Sequence, residues 1–270
     1  MTHDTDSGSG SDRAKDLWIR RFHPRRGAEH TLVCFPHAGG AASYYHALSA
    51  ALDPDVELLV IQYPGRENRL FEEPARSVEA LADAAARSLT ARELDRPVFF
   101  GHSMGAIVAF ETARRLARTA SRPAALVASA CAAPSHHEAR ADRLDGAGEE
   151  TDTEVLARIV GLGGTDLDVA EHAELIRLCL PAVRADFAAL ERYRVAPDVT
   201  VPCPVTVFAG DEDPNVPVAD AGLWSRHSAA GPADVHVFEG DHFYFKARPE
   251  PFLDLLHRTV RSARKGVAFA

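Results

Sequence analysis

Hydrophobic positions along this chain fall into two kinds of run. Short apolar runs recur at Thr31 to Phe35, Val56 to Gln62, Val98 to Phe100, Ala124 to Ala130, Val205 to Ala209 and Asp234 to Phe238, each predicting a buried strand. Leu17 to Phe22 is half polar and reads as an edge strand. Between them lie stretches with helical spacing. In Ser77 to Arg92, Val78, Leu81, Ala82, Ala85 and Leu89 share one face and Ser77 is placed to cap it. Met104 to Ala117 and Pro251 to Ala263 are further helices. Alternation of this kind predicts an α/β fold: a mainly parallel central sheet with helices on both faces.

One segment breaks the alternation. From Ser135 to about Ala196 no strand is predicted, only charged, helix-forming sequence. Thr151-Asp152-Thr153-Glu154 has capping-box spacing, with Val155, Leu156, Ile159 and Val160 as an apolar stripe behind it and Gly161, Gly163 and Gly164 to end the helix. Leu175 to Tyr193 is a second helical run, and Pro181 is expected to kink or split it. An insert here, about 135–196, is expected to form a helical lid with Pro181 as its hinge. The remainder, 16–270, reads as one domain after a polar, Gly/Ser-rich tail at 1–15 expected to be disordered.

The chemistry begins where an apolar run stops at Gly101-His102-Ser103-Met104-Gly105. Gly-x-Ser-x-Gly between a strand and a helix is the setting of a nucleophile elbow, in which a sharp turn presents the serine hydroxyl. A serine hydroxyl needs a base, and the elbow's chain order places acid and then histidine downstream. Of the 13 histidines, His242 follows the last predicted strand through Glu239-Gly240-Asp241 and is the expected base. His236 lies inside that strand, His257 on the last helix, and His102 beside the serine with its ring directed away from Oγ. After the strand ending at Ala209, Gly210-Asp211-Glu212-Asp213-Pro214 offers three carboxylates. Asp213 is the expected acid, with Asp211 as the alternative, otherwise a turn-stabilising residue, and Glu212 facing solvent. An oxyanion hole needs two N–H donors: Met104, next after the serine at a helix N-terminus, and Ala38 in the His37-Ala38-Gly39-Gly40 loop, with His37 as a second choice there.

Together, Cys34-Phe35-Pro36-His37-Ala38-Gly39-Gly40, Pro64-Gly65-Arg66-Glu67, the elbow, Leu180-Pro181-x-x-Arg184-Ala185-Asp186-Phe187 and Gly240-Asp241-His242-Phe243 follow in an order that resembles the type II, stand-alone thioesterases of polyketide and non-ribosomal peptide synthesis, within the α/β-hydrolase superfamily. The resemblance runs from Trp18 to the C-terminus. It implies a Ser-His-Asp thioester hydrolase that frees acyl groups from the phosphopantetheine arm of acyl or peptidyl carrier proteins, clearing stalled or misprimed carriers. No cofactor and no metal are expected, and the protein is expected to be a monomer. A carboxylesterase, or an acyltransferase using the same triad on a small-molecule ester or thioester, is the alternative. Arg66, Glu67 and Arg69 are expected to hold their loop by an internal ion pair, with contact to the carrier as the alternative, and Arg184 and Asp186 are likewise expected to be structural.

Composition narrows the setting. A net charge of −9 argues against nucleic acid as a partner. Cysteines at 34, 131, 179 and 203 show no metal or redox spacing and fit a reducing compartment. No run predicts a signal peptide or a membrane span, so a cytoplasmic location is expected.

Overall fold

A computed structural model describes residues 16–137, 151–161 and 173–265. The tail at 1–15 and parts of the expected lid, 138–150 and 162–172, lie outside the described residues, as do Gly163 and Gly164. The strands are β1 (Ile19–Arg20), β2 (His30–Phe35), β3 (Val56–Ile61), β4 (Val98–His102), β5 (Ala125–Ser129), β6 (Val205–Gly210) and β7 (Asp234–Phe238). The helices are α1 (His46–Ala51), α2 (Val78–Thr90), α3 (Met104–Leu116), α4 (Asp152–Gly161), α5 (Ala173–Arg192), α6 (Val218–Ala221), α7 (Tyr244–Ala247) and α8 (Pro249–Lys265).

The seven strands form one sheet in the order β1-β3-β2-β4-β5-β6-β7. Among the described residues only β1 is antiparallel, pairing Ile19 with Ile61 at the sheet edge. From β2 the chain crosses to β3 on one side and then to β4 on the other. Connections therefore diverge at the C-terminal ends of β2 and β4, the crevice where open α/β sheets bind ligands.

Period-2 alternation divides the central strands between two cores. Val33, Phe35 and Phe99 face α2 and α3, while Leu32, Cys34 and Phe100 face Tyr45 and the Phe252, Leu256 and Val260 stripe of α8. Covered on both faces, these strands are apolar throughout, as parallel strands must be. α2 buries the predicted face, and Ser77 Oγ accepts the Ala80 N–H at 3.1 Å. α3 is sandwiched so deeply that even Glu111 is buried. Its carboxylate accepts from Arg114 (2.6 Å), Arg115 (2.5 Å) and the Tyr193 hydroxyl (2.8 Å).

The insert contributes α4 and α5. Thr151 and Glu154 close the predicted capping box, with Thr151 N–H donating to Oε2 at 2.7 Å and Glu154 N–H to Oγ1 at 3.3 Å. α4 ends at Gly161. Pro181 does not split the second helix: α5 runs unbroken through it for 20 residues. A helix keeps its course through proline when neighbouring packing outweighs one lost hydrogen bond. Here Leu180, Val183 and Phe187 cluster with Val155 from α4. Arg158 bridges to Glu191 at 2.9 Å and lies over the Phe187 ring, and Arg184 pairs with Asp152. No helix among the described residues is long and apolar enough to cross a membrane.

Candidate active site

Ser103 sits between β4 and α3 with φ 54° and ψ −126°. Positive φ is strained for a residue with a Cβ and persists only where surroundings enforce it. They do so here. Ser103 N–H donates to the Ser129 carbonyl at 2.8 Å, and the Ser103 carbonyl accepts from Ala106 N–H at 2.9 Å. A Cβ on Gly101 would overlap the Gly105 carbonyl, and one on Gly105 would overlap the Phe35 carbonyl of β2. Both glycines are thus dictated by close backbone approach. The helix that follows points its N-terminal N–H groups, Met104 first, at the space beside Ser103.

At the same C-terminal end of the sheet, the loops that follow β6 and β7 are zipped together. Asp211 N–H donates to the Phe238 carbonyl and Glu212 N–H to the Gly240 carbonyl, each at 2.9 Å. Asp211 Oδ1 accepts the Gly240 N–H at 2.9 Å. That pairing sets Asp213 beside His242. Asp213 Oδ2 lies 2.6 Å from His242 Nδ1, with both side chains buried. Asp213 Oδ1 accepts the Asn215 N–H at 2.8 Å. A carboxylate against Nδ1 fixes that nitrogen as the donor, leaving Nε2 with its lone pair. His242 Nε2 is buried and has no hydrogen-bond partner among the described residues, so a bond from the Ser103 hydroxyl is not formed in this structure. The His242 ring lies 5.1 Å from that of His102, the residue before Ser103, which brings the pair to the elbow. Of the three carboxylates, Asp213 meets the histidine. Asp211 braces the turn, as its alternative role had it, and Glu212 is exposed.

Ala38 lies in the loop after β2, alongside the elbow. Gly39 N–H is taken by Asp186 Oδ2 at 2.8 Å and Gly40 N–H by the His37 carbonyl at 2.9 Å. Of the four amides in that loop, those of His37 and Ala38 have no acceptor among the described residues.

Sequence reasoning did not find the aromatic cage around the base. His37 and Phe243 pack at 5.0 Å, His102 and Phe243 at 4.9 Å, and His37 and His102 at 5.8 Å. Burial pushes the His37 pKa down to about 3, with the nearby His242 adding to the effect. Burial likewise holds His102 well below the usual histidine range. Both rings are therefore neutral at physiological pH. His102 Nδ1 lies 2.9 Å from Ser129 Oγ, which in turn lies 2.6 Å from the Tyr244 hydroxyl, so this ring is tied away from Ser103. His236 pairs with Asp234 at 2.7 Å and His257 Nε2 accepts the Asp53 N–H at 3.1 Å, both remote from the elbow.

The fold and this geometry agree with what the chain resembles among known proteins. A family model described as a thioesterase domain matches residues 30–260. The chain belongs to the thioesterase domain family. It is 45% identical over 230 residues to "Thioesterase PikA5" of Streptomyces venezuelae, spanning 84% of this chain and 80% of that relative. Among solved structures it is similar to the type II thioesterase BorB from the borrelidin biosynthetic cluster, with a TM-score of 0.79 and 38% identity over 91% of this chain and 98% of that one. It is also similar to YbtT, a type II thioesterase from the yersiniabactin NRPS/PKS pathway, with a TM-score of 0.75 and 30% identity over 91% and 99% of the two chains. This thioesterase also keeps the loop arginines in ion pairs. Arg66 is bound to Asp186, and Arg69 to Glu72 at 2.6 Å while stacked over Trp18. Glu67 takes no part in either pair and is exposed.

Proposed function

We propose that this thioesterase acts as a type II enzyme, with Ser103 as nucleophile, His242 as base and Asp213 as its orienting acid. It releases acyl groups from the phosphopantetheine arm of carrier domains in a polyketide or non-ribosomal peptide system. The observation that carries this reading is the strained Ser103 at the elbow, with a buried Asp213–His242 pair against its neighbour and Nε2 unoccupied. Ser103 Oγ attacks the thioester carbonyl as its proton passes to Nε2. The oxyanion forms against the Met104 and Ala38 amides, worth on the order of a hundred- to a thousandfold in rate per donor. The C–S bond then breaks and the thiol leaves with the proton from His242. Water, deprotonated by the same nitrogen, attacks the acyl-serine, and His242 returns that proton to Ser103 Oγ as the acyl C–O bond breaks and the acid is freed. The Ser103 to Nε2 hydrogen bond forms as substrate binds, since catalytic hydrogen bonds commonly tighten only in the complex.

A carrier partner and an editing role are supported by the names of the relatives, two of which are called type II thioesterases. The test is direct. Purified protein is given an acyl carrier domain loaded with a short acyl chain and, separately, a nitrophenyl ester of the same acid. Release of free acid from the carrier with the higher kcat/KM, abolished in Ser103→Ala, is the expected result. Preference for the small ester, or transfer to an added alcohol or amine in place of hydrolysis, overturns it in favour of an esterase or acyltransferase.

A further inference from the structure

Arg66 follows β3 and Asp186 lies inside α5, 120 positions later. Their side chains are 3% and 1% exposed. They meet fork to fork: Nη1 donates to Oδ2 at 2.8 Å and Nη2 to Oδ1 at 3.1 Å. A buried ion pair offsets its desolvation only when its remaining donors and acceptors are also satisfied. Here much of that capacity is directed at one turn. Asp186 Oδ2 accepts the Gly39 N–H at 2.8 Å, and Arg66 Nη1 donates to the Gly40 carbonyl at 3.1 Å. Arg66 Nε donates to the Pro64 carbonyl at 3.2 Å, and the Arg66 carbonyl accepts from Gln62 Nε2 at 3.2 Å, which fixes the arginine's own loop.

The turn so gripped is the one that carries Ala38. The Gly40 N–H to His37 carbonyl bond closes it, and Gly39 has φ +74°, as a type II turn requires at its third residue. Type I and type II turns differ by a flip of the central peptide. In this turn that is the Ala38–Gly39 unit, whose N–H is the one Asp186 holds; pinning it fixes the turn, and with it the place of the preceding His37–Ala38 peptide that carries the Ala38 N–H. The same helix also presses on the turn sterically. A Cβ on Gly39 would fall 2.8 Å from Val183 Cγ2, and Ala38 packs against the cluster of Val155, Leu180, Val183 and Phe187.

We propose that the buried Arg66–Asp186 pair is a positioning device for the reaction: by clamping the His37–Gly40 turn it aims the Ala38 amide at the developing oxyanion, which makes α5 a working part of the site. This rests on the reading of Ala38 as an oxyanion donor. Neither side chain touches a reacting atom, and both act through the turn. A misplacement of about 1 Å in such a group can cost on the order of 10²-fold in rate. Because the ground-state carbonyl makes less of the same hydrogen bond, loosening the clamp lowers kcat more than it alters KM.

The experiment compares wild type with Asp186→Asn, which keeps the shape and removes the charge, and Arg66→Lys, which keeps the charge and removes the fork. Each is assayed on an acyl-pantetheine thioester. Each is also titrated with an acyl trifluoromethyl ketone, to which Ser103 adds as its proton passes to His242, leaving a tetrahedral oxyanion in the hole. The expected result is a kcat about 10- to 100-fold lower in both variants, a ketone Ki weakened by the same factor, and KM within about threefold of wild type. Retention of kcat within about threefold overturns the proposal. So does a lowered kcat with the ketone Ki unchanged, which is what loss of correctly folded enzyme would give. If Asp186→Asn does not fold, Arg66→Lys carries the same comparison alone. Failure of the thioesterase reading appears separately, as wild-type protein that leaves the thioester intact. The variant-to-wild-type ratio on a nitrophenyl ester, which needs the same hole, still decides the clamp.

Discussion

At the scale of single residues, the two aspartates of the turn after β6 have separable duties. Asp213 holds His242 Nδ1 at 2.6 Å, so Asp213→Asn presents an amide that favours the wrong tautomer. It is expected to lower kcat on the order of 10³- to 10⁴-fold with little loss of stability, as read by steady-state kinetics beside thermal melting. Among the described residues Asp211 Oδ1 accepts from the Gly240 amide alone, and the side chain is exposed. Asp211→Ala should leave kcat within a few-fold of wild type and cost about 1 kcal/mol in urea denaturation. Ser103→Ala and His242→Ala should each lose on the order of 10⁴-fold or more, and the double variant should be no slower than either alone, because the two groups act as a unit. The pairing of Asp213 with His242 beside the elbow was legible in the sequence, from chain order and loop position. Choosing 213 over 211 needed only the step that clears the strand end. The cage of His37, His102 and Phe243 was not legible. Ring packing across three loops leaves no spacing to read.

At the scale of elements, the elbow tolerates no side chain at its glycines. Gly105→Ala would drive a methyl into the Phe35 carbonyl, joining β2 to α3 too closely to relax. The expected outcome is insoluble or unfolded protein, checked by soluble yield and circular dichroism. In α5, Pro181 stands exposed within a continuous helix. Pro181→Ala is expected to stabilise the protein by about 1–3 kcal/mol, since proline in a helix interior is about 3 kcal/mol worse than alanine. An unchanged or lowered melting temperature would contradict this. The strands and long helices follow from hydrophobic pattern, and β7 matches its predicted range residue for residue, but as an edge strand with Val235 and Val237 exposed it is not the buried strand expected. Short elements did not announce themselves. α1, α6, α7 and the 3-10 turn Ala42–Tyr45 are shaped by what they pack against, Tyr45 and Tyr244 being fully buried there. The Arg66–Asp186 bond lies beyond sequence reading for the same reason: an ion pair inside the sequence was expected for Arg66, but nothing in the spacing chooses a partner 120 positions away.

At the scale of the whole molecule, the neutral imidazoles near the site set a response to acid. His37 stays uncharged in the fold down to about pH 3, and His102 is also held below the usual range. In the unfolded chain both take up a proton below about pH 6.5. Between those limits the unfolded state binds more protons. Their contribution to stability is therefore complete above about 6.5 and declines as pH falls, by about 1.4 kcal/mol per pH unit for each ring once well below that value. Urea midpoints taken at pH 7 and pH 5 should show the loss, and His37→Gln should show a shallower one. The Asp186 carboxylate carries a different consequence for anyone who would rebuild this scaffold. Recombining relatives at the borders of the helical segment treats it as a module. Yet excising it would strand a guanidinium inside the body of the sheet domain, and a transplanted segment would have to bring its own matching anion at the same depth. Chimeras should accordingly be cut so that the stretches 37–40, 62–66 and 180–187 travel as one inheritance.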